Sequence, residues 1–272
     1  MRLKFIGTIW GMDISDSLSV INKIKDAGYD GVEIGFPVRD YDKQTEILQL
    51  AQAENMITIA QHYDADGESP EEYTKSYTAH LLFLASLKPT FINTQTGKDY
   101  FSFEENAAIL EKAFAIEKET GVRIIHETHR GKFSYSLPLL REYLEKFPQL
   151  VITADFSHFC VVSESFLQTK RQKAMTDLCI ARTAHLHARI GYPEGPQVND
   201  PRAKEWEEAM GFHLQWWDKI IEQKRNDDLF TITPEFGPAP YMPQQPYTCE
   251  PLASQWEVNL FMKDLLKKRW QS

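Results

Sequence analysis

The chain has 272 residues, 42% of them hydrophobic and 25% charged, which is ample to build one sizeable core. A formal net charge of −9 disfavours general binding to phosphate backbones, and no stretch approaches the ~20 apolar residues that span a bilayer. Cys160, Cys179 and Cys249 are odd in number and form no CxxC pair, so the sequence predicts a reducing, cytoplasmic setting and no disulfide framework.

From the first residues onward the pattern is strand, loop, helix. LKFIGTIWG reads as a first strand rather than a signal peptide, and Asp16 to Ala27 as an amphipathic helix closed by Gly28. YDGVEIGF is the second strand, with a helix over Asp42 to Glu54, and ITIAQHY the third. The next helix opens with Ser69 at the N-cap, Pro70 at its first position and Glu72 completing a capping box. PTFINTQTG is strand four, followed by a helix from Phe103 to Thr120 that Gly121 ends.

In the second half VRIIHETHRG, LVITADFSHF, TAHLHARIG and LFTITPEFG read as strands five to eight. Their helices are expected over Leu137–Lys146, Thr169–Ala181, Trp206–Lys224 and Ser254–Arg269. Eight βα units close into a barrel or open into a doubly wound sheet. Near-uniform unit length, the absence of GxGxxG after any strand and polar residues at many strand ends favour a single α/β domain over 1–272, a (β/α)8 barrel.

Side chains alternate across a strand, so residues two apart share a face. Glu127 shares one with Ile125 and His129, Asp155 with Thr153, His187 with His185 and Arg189, and Glu235 with Thr231 and Thr233. Three carboxylates and one imidazole thus gather at the C-terminal ends of four consecutive strands, the end where functional groups of such sheets collect. Ionised carboxylates so close together repel and lose hydration, and a divalent cation relieves both costs. Oxygen ligands with one imidazole suit Mn2+ best, with Mg2+, Co2+ or Zn2+ as alternatives.

Those motifs also carry a resemblance. The strand-five Glu, the Asp155-Phe-Ser-His158 run, the pair His185 and His187, and Glu235-Phe-Gly-Pro resemble the xylose isomerase-like TIM barrel superfamily, in its ketose 3-epimerase and hydroxypyruvate isomerase branch. The resemblance spans the whole chain. It implies one divalent metal held by Glu127, Asp155, His187 and Glu235, and a substrate contact at His158, with Arg189 as a basic group downstream of the metal His. Where that branch often has a second Glu, this chain has Phe133, with His129, Arg130 and Lys132 nearby.

The implied activity is isomerisation or epimerisation of a keto-sugar or related polyol through an enediolate, with Glu127 and Glu235 exchanging the proton. His129, His62 at the end of strand three and Trp10 at the end of strand one are further expected substrate contacts. Glu33 is expected inside the barrel, bonded to an Arg or His. A metal-dependent lyase or dehydratase of a keto-sugar or keto-inositol is the alternative enzyme, since the same chemistry expels a β-leaving group. An abasic-site endonuclease needs more His ligands and a basic surface, and a non-enzymatic sugar-binding barrel predicts weak metal binding. The expected partner is a small-molecule carbohydrate, with neither nucleic acid nor membrane; a homo-oligomer stays open.

Overall fold

A computed structural model describes residues 2–271. Eight parallel strands close into one barrel in strict chain order, with the first pairing the last through Arg2↔Leu229 to Phe5↔Ile232. The strands are β1 (Arg2–Thr8), β2 (Gly31–Phe36), β3 (Ile57–His62), β4 (Phe91–Thr94), β5 (Ile124–Glu127), β6 (Ile152–Ala154), β7 (Thr183–His187) and β8 (Leu229–Thr233). No helix among the described residues is long and apolar enough to cross a membrane.

Helices connect the strands where capping and periodicity place them. α1 (Ser17–Asp26) starts at an Asp16 N-cap, and α2 covers Asp42–Ala53. α3 (Pro70–Ser86) has the expected Ser69–Glu72 capping box, and α4 (Phe103–Thr120) has a second one at Ser102–Glu105 and ends on a left-handed Gly121. α5 is Leu137–Lys146. The expected strand six is shorter than its apolar run: after three ladder residues the chain turns into a short helix, α6 (Ser157–Val162), before α7 (Lys170–Arg182). The Ser157 N–H donates to Asp155 Oδ1 at 3.1 Å, so the carboxylate itself helps to start that helix. α8 (Glu207–Gln223) follows a 3-10 turn, and α9 (Gln255–Trp270) closes the chain from a Ser254 N-cap.

Alternation sorts the barrel into an inside and an outside. Phe5, Val32, Ile34, Ala60, Ile92, Leu186 and Ile232 face outward into the main core beneath the helices. Ile6, Ile59, Phe91 and Ile125 point inward and form a small apolar floor. Above that floor the interior turns polar, first with Glu33, Asn93, Thr153, His185 and Thr233, all buried, and then with the strand-end groups. An apolar plug below and a polar layer above are what a filled barrel needs if its chemistry is confined to one end.

Candidate metal centre and substrate cleft

The structure brings Glu127, Asp155, His187 and Glu235 together: one ligand atom from each lies within 4.8 Å of all the others, and all four residues are buried. β5 and β7 end on Glu127 and His187, whereas Asp155 and Glu235 sit just past the last residues of β6 and β8. Their backbones stay in register beyond the strands. Thr128 N donates to Thr153 O at 3.0 Å, and Ala188 N to Thr233 O at 2.8 Å. The Thr128 hydroxyl accepts from Asp155 N at 2.8 Å and donates to Asp155 O at 2.9 Å, fixing the residue that carries the carboxylate.

Two atoms decide whether these groups suit a cation. His187 Nδ1 and Glu235 Oε2 approach to 2.7 Å, yet neither has a hydrogen-bond partner, although both are buried. Two such atoms, close but not aligned with each other, have lone pairs to share with a third centre; neighbouring ligands of an ion at ~2.1 Å lie roughly 3 Å apart. Glu127 Oε1 stands 3.6 Å from the same nitrogen. The donor set of three carboxylates and one imidazole therefore fits a divalent ion of oxygen-loving character.

Electrostatics agree. Burial opposes charge on His187, but Glu235, Glu33 and Glu127 outweigh it and hold the imidazole well above its ordinary pKa, so a bound ion would take the place of the Nδ1 proton that these carboxylates otherwise favour. Burial pushes the Asp155 carboxyl up to about 6, even with the Arg189 guanidinium beside it and the neighbouring Glu235 and Glu127 adding to the rise. The cluster is a buried excess of negative charge that calls for cations.

Arg189 answers part of that demand. Its Nη2 donates to Asp155 Oδ2 and, at 2.8 Å, to His158 Nε2, while Nε donates to Ser157 Oγ at 3.3 Å. The guanidinium also lies 4.7 Å from the Tyr241 ring centre. His158 is buried beside Asp155, and its ring packs 4.0 Å from that of His129. Of the expected substrate contacts, Trp10, His129 and Arg189 line a cleft of about 440 Å3 above the centre, while His158 is fully buried against Arg189 and His129 and is not among the lining residues. Nor does His62 line the cleft. It shares the outward face with Ala60, pairs in register with buried Phe36 and packs against Tyr77 and His80 in the helix layer. Strand parity excludes it, and the inward residue is its neighbour, Gln61.

Gln61 is one of several groups that motif reading passes over. Its Nε2 donates to Glu235 Oε1 at 3.2 Å and Glu127 Oε2 at 3.4 Å, and Gln95 Nε2 donates to Glu127 Oε2 at 3.1 Å. Alternation within β3 is the signal that finds Gln61, since Ile57 and Ile59 share its face. Tyr241 comes from the proline-rich segment after β8 and packs edge-on to Trp10, centroids 5.1 Å apart. No periodicity announces it. Phe133 is buried against His126 and Tyr143, so the side chain standing where the resembled branch often has a second Glu belongs to the core, not the cleft.

A family model for the xylose isomerase-like TIM barrel matches residues 21–197. The chain belongs to that family. No curated protein matches it significantly. Among solved structures, an L-ribulose 3-epimerase is 9% identical with a TM-score of 0.71, covering 99% of this chain and 95% of that one. The probable 3-DHS dehydratase AsbF from Bacillus anthracis is 19% identical at a TM-score of 0.61, over 97% of this chain and 98% of its own. Endonuclease IV from Thermus thermophilus is 13% identical at 0.59, over 100% and 99%. At such identities the likeness is one of fold, and the three names cover three different chemistries.

Proposed function

We propose that this member of the family is a divalent-metal-dependent isomerase or epimerase of a keto-sugar or related polyol. The observation that carries the reading is the unpartnered pair, His187 Nδ1 and Glu235 Oε2, buried within a cluster that Glu127 and Asp155 complete. These four residues would hold the ion, Mn2+ in the first place and Mg2+, Co2+ or Zn2+ otherwise. When bound, the ion supplies Lewis-acid polarisation of a substrate carbonyl and its neighbouring hydroxyl.

The chain's own groups do the rest. Glu127 and Glu235 come from strands three apart in the barrel, so each can serve one face of a substrate carbon. One carboxylate takes the C–H proton next to the carbonyl, the bonding electron pair stays with the substrate, and the other carboxylate returns a proton to the opposite face. Gln61 donates to both and keeps them at a fixed separation. Arg189 neutralises Asp155, and together with His129 and Trp10 it would contact the hydroxyls of the sugar, with His158 holding the guanidinium from behind. Compartment and partner follow the same reading: a cytoplasmic enzyme of small carbohydrates. Neither nucleic acid nor a membrane enters the scheme.

The test is solvent-hydrogen exchange. Wild-type protein loaded with Mg2+ or Mn2+ is incubated in D2O with pentuloses and hexuloses, and the products are read by mass spectrometry. One deuterium per turnover without loss of water is expected, and Glu127→Gln or Glu235→Gln abolishes it. Retained exchange in both variants sinks the acid–base assignment. Loss of water from the substrate would make the protein a lyase.

A further inference from the structure

We propose that Glu33, one layer below the centre, is a positioning residue that sets its metal affinity by holding His187 in one orientation and one tautomer. This rests on the metal-binding reading above. Glu33 lies on β2, across the barrel from the strands that carry the ligands. Its Oε1 and Oε2 stand 3.0 and 3.1 Å from His187 Nε2, on the opposite edge of the ring from the unpartnered Nδ1. Nε2 is in hydrogen-bonding geometry with both Glu33 oxygens, whereas Nδ1 approaches Glu235 Oε2 without such geometry. With an ion bound, Nε2 would therefore keep its proton, pointing down at Glu33, and Nδ1 would offer its lone pair to the centre.

The carboxylate is itself fixed from three further strands. Asn93 Nδ2 donates to Oε1 at 2.9 Å, with Asn93 Oδ1 accepting from Thr153 Oγ1 at 2.7 Å. Thr233 Oγ1 donates to Oε2 at 2.6 Å. Below it, Thr231 Oγ1 lies 2.7 Å from His185 Nδ1, and His185 Nε2 lies 3.1 Å from Thr233 Oγ1. Thr231 O can only accept, so His185 Nδ1 carries that ring's proton and donates to it at 2.9 Å, while Thr233, His187 and Asn93 all donate to Glu33.

Glu33, His185 and His187 also lie close enough together to suggest a second ion. The hydrogen-bond assignment argues against one, because it places a proton on His187 Nε2 and leaves only Glu33 and His185 with lone pairs for a cation. None of the polar side-chain atoms of Glu33, Asn93, His185 or Thr233 is buried and unpartnered, whereas His187 Nδ1 and Glu235 Oε2 in the layer above are. The lower layer is a closed network that orients, and the upper layer is an open one that binds. Carboxylate partners of this kind commonly change metal affinity 10- to 100-fold.

Calorimetric titration with Mn2+ tests the idea on wild type, Glu33→Gln and Thr233→Val, each checked for an intact fold by its melting transition. The expected result is a Kd about 10- to 100-fold weaker for Glu33→Gln, with a smaller weakening for Thr233→Val. In Zn2+-loaded wild type, nitrogen-15 spectra should show His187 with its proton on Nε2 and the ion on Nδ1. Wild type that binds no divalent ion removes the metal-binding reading and this inference with it. Wild type that binds, with Glu33→Gln binding equally well, overturns the inference alone. If Glu33→Gln does not fold, the wild-type spectrum decides: an ion on Nε2, or an Nε2 without its proton, overturns it.

Discussion

The two halves of the barrel mouth are chemically unlike. β5 to β8 deliver Glu127, Asp155, His187, Arg189 and Glu235, whereas the mouth of β1 to β4 offers Trp10, Gly35, Gln61 and Gln95, none of them charged. Like charges crowded on one side create the demand for a cation there. A neutral opposite wall adds nothing that competes for it, and supplies amide donors and an aromatic face suited to a polyol. Glu33 is the buried acid of the first half, and it sits one layer lower, bonded to a histidine. On the proposed function, the division separates holding an ion from recognising a sugar.

The division can be broken most severely at Asp155. Asp155→Ala leaves the Arg189 guanidinium buried beside His158 without its carboxylate, and the expected loss is about 3–5 kcal/mol of unfolding free energy in urea. A loss under 1 kcal/mol would mean that Arg189 relaxes to solvent and that the charged half is less rigid than it looks.

His213 on α8 sharpens the same half through pH. Its Nε2 accepts from Gly191 N at 3.2 Å, bracing the loop that follows Arg189, and burial lowers its pKa from 6.5 to about 4. The folded state thus binds the proton more weakly than the unfolded chain. The associated stability is present above pH 6.5 and is lost as pH falls toward 4, at most about 3 kcal/mol. Urea denaturation at pH 7 and pH 4.5 should show a steeper acid loss for wild type than for His213→Gln. Equal slopes would refute the assignment.

On the neutral side the expected effect is smaller and of another kind. Trp10→Leu should leave Mn2+ affinity within about threefold while weakening the apparent sugar affinity roughly fivefold, the worth of about 1 kcal/mol of aromatic contact. A large fall in Mn2+ affinity would show that the two walls are not separable.

Much of the barrel is legible in the sequence, because its signals are local. α4 and α5 run over the residues that Gly121, Pro148 and the apolar periodicity indicate, and Ser69 caps α3 as its spacing with Glu72 requires. The four clustered residues are legible too, since parity and strand ends suffice to place them. What escapes is non-local or switches period. DFSHFCVV continues an apolar run, yet it leaves the ladder after Ala154, because Asp155 and Ser157 begin a helix. His62 is conspicuous as a histidine but outward by parity, while the inward Gln61 draws no notice in sequence. Tyr241 reaches the cleft through an irregular segment, and only the packed molecule shows it against Trp10.

The contact between Trp10 and Gly237 constrains how such a chain can vary. A Cβ built on Gly237 would lie 2.2 Å from the Trp10 indole, and the Gly237 backbone is clamped by Gln197, which accepts from its N–H at 2.7 Å. The indole occupies the volume a side chain at 237 would fill, and the clamp keeps the backbone from moving aside. The two positions are sterically coupled. A descendant that gains a side chain at 237 must give up the indole at 10, and with it the aromatic floor of the neutral wall.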